Sequence, residues 1–234
     1  MQHTSEELRA WFRGVQPLYV ELFNAAHVMC GNYDMAENAL SSAILDVWQQ
    51  NAASGMGFRE RLRSALRREA FAAALSDEGQ AAEFTWPGVG AYEGGDNPVA
   101  IQLGQEGVDS QRLVILRQGC GLSLRQVCQL TGLTQGQVRA ELNRFETRCR
   151  RRLTGQDRGR AEALIARTAK RLLGQSGPNV PQAGQVYRAF EAEAGAAQAR
   201  GFRVWRFASG LLLALMALLC AGAFWLFAVL VQPV

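Results

Sequence analysis

The feature that most limits how this chain can fold is an uncharged stretch near its end, residues 207–231. These 25 consecutive residues carry no charged side chain and are rich in Leu, Ala and Phe. At about 1.5 Å per residue, a helix of this length spans ~37 Å, enough to cross a hydrocarbon core of about 30 Å. The sequence therefore predicts one transmembrane helix at 207–231, with the rest of the chain folding outside the bilayer.

The residues around this stretch predict its orientation. Arg200, Arg203 and Arg206 come immediately before it, and only three uncharged residues follow it. Loops rich in arginine stay on the cytoplasmic side of a membrane. The first residues, 1–7, are polar and acidic, unlike a secretory signal. We therefore expect a single-pass protein of the inner (cytoplasmic) membrane, with residues 1–206 in the cytoplasm.

The inventory of reactive residues gives no sign of catalysis. There are only two histidines and five cysteines, with no CxxC pair, which fits reduced cytosolic thiols. His27 and Cys30 stand one helical turn apart, but no second pair of ligands accompanies them, so we interpret them as structural. Neither a GxxxxGK[ST] nor a GxGxxG phosphate-binding loop is present. The sequence predicts no catalytic residue, no cofactor and no metal site.

Hydrophobic periodicity predicts an all-α fold: two small helical domains followed by the transmembrane helix. Residues 5–30 have apolar residues at helical spacing, with Pro17 expected to kink or divide the run. A second helix is expected from near Asp34, and a third from about Phe58 to Leu75. We assign residues 1–78 to the first helical domain. Its third helix presents a basic surface formed by Arg59, Arg61, Arg63, Arg67 and Arg68.

Residues 79–109 differ in composition from what precedes them. They contain seven glycines, Pro87, Pro98 and five acidic residues, with no basic residue. Such a composition favours an extended, poorly packing segment. We therefore predict an acidic, glycine-rich linker over 79–109.

Residues 110–154 have the pattern of a helix-turn-helix. Ser123 is placed to cap a short helix, and Thr134 to cap a longer one, with Gly132 in the turn between them. The motif needs a small residue where the helices approach and a residue that tolerates positive φ in the turn; Cys128 and Gly132 fit these roles. The longer helix would place Val138 and other apolar residues on its inner face.

The charge of this segment favours nucleic acid as its partner. Residues 111–153 carry nine arginines and two glutamates, and residues 111–206 together have a net charge of +12, compared with −3 for residues 1–80. Arginines that neutralise phosphates give salt-dependent binding, and the first turns of the second helix usually read bases. We expect the following residues to contact DNA: Ser123, Arg125, Thr134, Gln135, Gln137, Arg139, Arg144, Arg148 and Arg151.

Three segments together resemble the extracytoplasmic-function (ECF) sigma factors. Residues 36–48 are similar to the polymerase-binding helix of that family, AEDLxQExFLxxW, and residues 58–67 to the next helix, FRxWLxxIARN. Residues 122–153 are similar to the helix-turn-helix that reads the −35 promoter element. The resemblance implies binding to core RNA polymerase and promoter DNA in transcription initiation. It implies polymerase contacts at Glu37, Asn38, Ser41, Ser42 and Asp46.

Several positions differ from the family pattern and keep two alternatives open. Asn38, Ser41 and Ser42 replace Asp, Gln and Glu, which favours a membrane-tethered DNA-binding regulator that has lost polymerase binding. Glu141 stands where the family usually has a basic residue, which favours a helical membrane adaptor on a degenerate sigma fold. Arg61 and Arg68 likewise replace the usual Trp and Asn.

Residues 155–206 lie outside the family pattern and form a basic juxtamembrane region. Residues 160–173 read as a basic amphipathic helix, and residues 186–199 as a further helix. One hypothesis is that this region folds back as a built-in inhibitor, taking the part of a separate anti-sigma partner. The other is that it is a spacer attracted to anionic lipid.

Overall fold

The fold, taken from a computed structural model, consists of α-helices. The described residues are 5–50, 56–85, 88, 97–175, 180, 185–188, 190–192 and 194–195. None of these residues lies in a strand, so the predicted all-α fold class is confirmed for this part of the chain. The chain divides after Phe190, and the part that ends there packs as one compact unit. The domain boundaries at 78, 109 and 154 remain sequence-based predictions.

Four helices form the first part of this unit: α1 (Ser5–Val15), α2 (Tyr19–Cys30), α3 (Tyr33–Gln49) and α4 (Met56–Leu75). The predicted division at Pro17 is confirmed, because turn residues separate α1 from α2. A proline cannot donate the backbone hydrogen bond that would continue α1.

A glycine and an asparagine determine where α2 ends and α3 begins. Gly31 has a φ of 67°, in the left-handed region that favours glycine, and its N–H donates to the His27 carbonyl oxygen. The side chain of Asn32 then caps α3 by accepting a hydrogen bond from the Met35 N–H at 3.1 Å. The two helices consequently turn back on one another with their apolar faces together.

The core of this part lies between α2, α3 and α4, which pack against one another. An ion pair ties α2 to α4 at its edge: the Arg63 guanidinium donates two hydrogen bonds to the Glu21 carboxylate, at 2.8 and 3.1 Å. The largest fully buried side chains here are Leu22, Phe23, Met29, Leu40, Ile44, Leu62 and Leu66. Burying an aliphatic or aromatic side chain of this size contributes roughly 1.5–3 kcal/mol to the stability of the fold.

The prediction of an extended linker over 79–109 is wrong for its second half. A short helix α5 (Asp77–Ala81) follows α4, and residues 98–104 form a helix α6 (Pro98–Gly104). Asn97 caps α6 by accepting from the Val99 and Ala100 N–H groups, and Pro98 occupies its first turn. The helix is stabilised because Val99 and Leu103 are buried where α6 packs on two helices that come later in the chain. The local sequence does not reveal these two partners.

Helix α7 (Val108–Val114) continues into a π-helical turn, Ile115–Gly119. Arg112 of α7 connects this region to the end of α2. Its guanidinium donates to the carbonyl oxygens of Val28 and Met29, at 3.2 and 3.1 Å, and lies 4.0 Å from the centre of the Phe84 ring. Burial lowers the pKa of Arg112 to about 10, which still leaves it charged at neutral pH.

The later helices complete the unit: α8 (Leu124–Thr131), α9 (Gln135–Arg152), α10 (Gln156–Gly159) and α11 (Ala161–Leu173). The predicted helix over residues 160–173 is confirmed by α11, which packs on the π-helical turn and on α2, α6 and α9. The apolar face of this amphipathic helix is thereby buried within the protein.

The predicted transmembrane helix at 207–231 lies outside the described residues. Within the described part of the chain, no helix combines the length and the apolar character needed to cross a bilayer.

Candidate nucleic-acid interface

Helices α8 and α9 form a helix-turn-helix whose beginnings are set by matching caps. The hydroxyl of Ser123 accepts a hydrogen bond from the Gln126 N–H, and the Gln126 side chain accepts one from the Ser123 N–H. Thr134 and Gln137 make the same reciprocal pair at the start of α9. Each capping box satisfies two backbone N–H groups that a helix start otherwise leaves without a partner. The two caps predicted from the sequence are confirmed.

The turn between the helices depends on Gly132. Its φ is 70°, and its N–H donates to the Cys128 carbonyl oxygen at 2.9 Å. Behind the turn, Val138 and Phe145 of α9 are almost completely buried, at 0% and 2% exposed, and Val127 of α8 is fully buried. The predicted inner face of α9 is thus present, and its opposite face is left for solvent.

The structure places the predicted DNA-contacting residues on one continuous part of the molecule, α8, the turn and α9. All are exposed except Arg148, which is half-buried. The side-chain oxygen of Gln137 is engaged with Thr134, so this glutamine serves the cap. Asn143, which was not among the predicted residues, is exposed one helical turn after Arg139 on the same side of α9.

The arginines of α8 and α9 fall into two groups by their partners. Four of them contact acidic or amide side chains: Arg144 with Glu141, Arg148 with Glu106, Arg150 with Glu146 and Arg152 with Gln105. The guanidinium groups of the other three make no ion pair or hydrogen bond with any described residue, and these residues are exposed. They are Arg125, Arg139 and Arg151, and we call these three the unpaired arginines.

Glu141 has a local structural role that its sequence position did not reveal. Its carboxylate accepts a hydrogen bond from the Ser110 hydroxyl at 2.7 Å and pairs with the Arg144 guanidinium at 2.5 Å. The residue therefore joins α9 to α7, and Arg144 compensates its negative charge. A phosphate approaching this side of α9 would meet a neutral pair rather than an isolated carboxylate.

The residues expected to bind polymerase lie along α3, but not all of them face solvent. Asn38 and Ser42 are exposed, and Glu37 is half-buried. Ser41 is buried, at 4% exposed, because it lies on the side of α3 that packs against neighbouring helices. Asp46 accepts hydrogen bonds from Arg68 at 2.9 Å and from Gln50 at 2.8 Å. The open part of this surface is thus centred on Asn38 and Ser42.

Acidic neighbours also compensate part of the basic surface predicted on α4. Arg63 pairs with Glu21 of α2, Arg67 contacts Glu60 at 3.4 Å, and Arg68 pairs with Asp46. The two remaining members, Arg59 and Arg61, are exposed.

Three thiols and the histidine of the described part are buried. Burial raises the pKa of Cys30, Cys120 and Cys149 to about 12, so these thiols stay protonated. Burial lowers the pKa of His27, whose Nε2 has no hydrogen-bond partner. No group of three or more His, Cys, Asp and Glu side chains that could hold a metal ion occurs among the described residues.

Comparison with protein-family models, with curated proteins and with solved structures finds no match for this chain.

Proposed function

We propose that this chain is a membrane-anchored, sigma-like transcription-initiation factor. It binds promoter DNA through α8 and α9 and core RNA polymerase through α3. The observation that carries the proposal is the helix-turn-helix with two complete capping boxes, a left-handed glycine turn and three unpaired arginines on its exposed face.

The position of the unpaired arginines supports DNA as the ligand. Arg139 lies in the second turn of α9, where a recognition helix reads base edges, and Arg151 lies near its end, where such a helix leaves the groove. Arg125 is in the first turn of α8. Because none of them pairs with an acidic side chain of the described residues, each is available to a phosphate or a base at no loss of such a contact.

A salt titration of DNA binding tests this part of the proposal. The full chain in mild detergent is titrated against a random-sequence DNA duplex at several salt concentrations, with fluorescence anisotropy as the readout. Each phosphate contact contributes about 1 to the slope of log affinity against log salt. We expect Arg151→Gln, at the position of a phosphate contact, to weaken binding and to reduce that slope by about 1.

The matched control is Arg167→Gln, which removes the same charge from an exposed site on α11. It should leave the slope nearly unchanged, since this arginine lies outside the helix-turn-helix. Equal effects of Arg151→Gln and Arg167→Gln would mean that only net charge matters, and would contradict the proposed interface.

Co-migration with bacterial core RNA polymerase on gel filtration tests the second part. The proposal expects a complex that Asn38→Arg and Ser42→Arg weaken, because these two exposed residues lie on the open part of α3. Promoter-dependent transcription from the complex is then the direct measure of initiation. A complex that neither substitution affects would remove α3 as the polymerase-binding helix.

A second candidate is a membrane-tethered regulator that binds DNA but not polymerase. The burial of Ser41 and the engagement of Asp46 by Arg68 favour it, since both reduce the polar surface that α3 offers to a partner. This candidate predicts salt-dependent DNA binding with no polymerase complex for any variant.

The membrane anchor in this proposal is supported by the uncharged stretch 207–231 and the arginines before it. Removal of residues 207–234 should move the protein from the membrane fraction to the soluble fraction after cell lysis. Retention of the shortened chain in the membrane fraction would contradict the anchor.

A further inference from the structure

An aromatic side chain from late in the sequence is inserted among residues of α1 and α3. Phe190 is fully buried. Its ring is stacked on Trp11, with centroids 5.6 Å apart, and on Phe12 at 5.8 Å, and it meets the edge of Trp48 at 6.1 Å. Trp11 in turn contacts Trp48 and Phe58, each at 5.2 Å. Phe190 thus joins an aromatic cluster whose other members lie on α1, α3 and α4.

Trp48 places this cluster on the helix that we propose to bind polymerase. It lies near the end of α3, which also carries the exposed residues Asn38 and Ser42. With Phe190 in place Trp48 is 9% exposed. Buried aromatic anchors contribute a large share of the energy of protein interfaces. A large aromatic group on α3 is therefore covered by a residue of the same chain.

The segment that carries Phe190 is held on the unit at a second place. The side-chain amide of Asn24 on α2 donates to the carbonyl oxygens of Leu173 and Gln175, at 2.7 and 3.0 Å, and so caps the end of α11. A side chain at Gly119 would lie 3.0 Å from the Leu173 side chain, so α11 sits closely on the π-helical turn. We call α11 together with the helical residues 185–188 and 190 the strap.

The contacts of the strap differ in kind along its length. Polar caps and close packing fix α11, whereas the side chain of Phe190 packs among aromatic rings. One helical turn before Phe190, Tyr187 contacts Phe12 with centroids 5.3 Å apart and lies 6.0 Å from the Arg9 guanidinium. Phe190 contacts Trp48 of α3. A change at α3 would therefore act on the strap through Phe190 and release that residue from the cluster.

We propose that Phe190 is an internal plug over Trp48, at the end of the polymerase-binding helix, and that core RNA polymerase displaces it when it binds α3 and Trp48. The inference rests on the proposed function. When only a fraction of the molecules is in the binding-competent form, the apparent affinity is the intrinsic affinity multiplied by that fraction. A plug that is in place in about nine tenths of the molecules lowers the affinity for polymerase about tenfold compared with an open chain.

The test compares the full chain with its Phe190→Ala variant in binding to bacterial core RNA polymerase. Phe190→Ala should raise the affinity about tenfold and should increase amide hydrogen exchange in the second half of α3. The matched control is Tyr187→Ala, which removes an aromatic ring from the same segment while Phe190 still covers Trp48. We expect it to change the affinity less than threefold, well below the effect at Phe190.

Two readouts keep the result independent of a general folding defect. Hydrogen exchange in α9 should be the same in all variants, because α9 packs mainly on α6, α7, α8 and α11, which carry no member of the aromatic cluster. Trp48→Ala in the Phe190→Ala background should reverse the gain in affinity, since it removes the group that the plug covers.

Failure of the inference differs from failure of the proposed function. If the wild-type chain and Phe190→Ala bind polymerase equally, Phe190 is only part of the core and the plug is refuted. If no variant binds polymerase while DNA binding remains salt-dependent, the polymerase part of the proposed function fails and the plug fails with it.

Discussion

Arg148 of α9 forms an ion pair with Glu106, whose side chain is only 4% exposed. Gln102 donates a second hydrogen bond to the Glu106 carboxylate at 2.6 Å. The pair fixes α9 to the segment between α6 and α7, so an arginine that the sequence suggested for DNA has a partner inside the protein.

This ion pair predicts that Arg148→Ala lowers the stability of the chain as well as DNA binding. Removal of the guanidinium leaves a buried carboxylate without its counter-charge, and because Arg148 itself is partly exposed we expect a loss of about 2 kcal/mol. Arg139→Ala should change the free energy of unfolding by less than about 0.5 kcal/mol. Urea unfolding measures both variants, and equal stability of the two would contradict the structural role of Arg148.

Two left-handed glycines with different surroundings give a second prediction. Gly31 and Gly132 have φ values of 67° and 70°. A Cβ at Gly132 would have no atom within 4 Å, whereas at Gly31 it would overlap the Phe84 ring at 1.8 Å. We expect Gly132→Ala to destabilise by about 1–2 kcal/mol, the conformational cost alone. Gly31→Ala should destabilise more, because Phe84 has to leave its place on Arg112.

A double variant separates the two contributions at Gly31. In a Phe84→Ala background the steric overlap is gone, and Gly31→Ala should then cost about the same as Gly132→Ala. Thermal unfolding of five proteins measures this: the wild type, Gly31→Ala, Phe84→Ala, the double variant and Gly132→Ala. An unchanged cost of Gly31→Ala in that background would show that the ring does not restrict this site.

Buried His27 predicts a loss of stability in mild acid. Burial lowers its pKa below the usual 6.5, so the unfolded chain takes up a proton that the folded chain resists. Stability should be constant above about pH 6.5 and should fall below it, by up to about 1.4 kcal/mol per pH unit, until the pH reaches the folded pKa. Urea unfolding at pH 7.5, 6.5 and 5.5 measures the effect.

The matching variant is His27→Leu, which cannot be protonated and removes the unpaired Nε2. It should flatten the pH dependence over this range and should be at least as stable as the wild type below pH 6.5. If the free energy of unfolding of the wild type and of His27→Leu depends on pH with the same slope, groups other than His27 cause the effect.

Local signals in the sequence predicted the helices well. Pro17, Ser123 and Thr134 determine helix ends through contacts within a few residues, and so can be read from the sequence. Helix α6 was missed, although Asn97 and Pro98 form a good helix start, because its stability comes from packing on α9 and α11.

The candidate site shows the same contrast between features set by neighbouring residues and features set by the packing of distant helices. The position of Arg139 on the exposed face of α9 follows from helical spacing alone. The pairing of Arg148 with Glu106 joins residues 42 positions apart, and that of Asp46 with Arg68 joins residues 22 apart. Such pairings depend on how helices pack, so charge counting could identify a basic segment but not which arginines remain available.

Removal of Glu141 is expected to change DNA binding through its ion-pair partner Arg144. Glu141→Ala leaves Arg144 without its carboxylate and adds one positive charge to the exposed side of α9. DNA affinity should rise several-fold, and the slope against log salt should steepen by up to about 1. Stability should fall by about 1 kcal/mol, since the Ser110 hydroxyl loses its acceptor.

The control for net charge is Glu78→Ala, an exposed site on α5. It removes the same charge far along the chain from α9 and should leave the slope unchanged. If the gain comes from Arg144, it should disappear when Glu141→Ala is combined with Arg144→Ala, in the same anisotropy titration. A gain that persists without Arg144 would assign the effect to the field of the whole segment, and the pairing between Glu141 and Arg144 would then have no part in how the interface binds DNA.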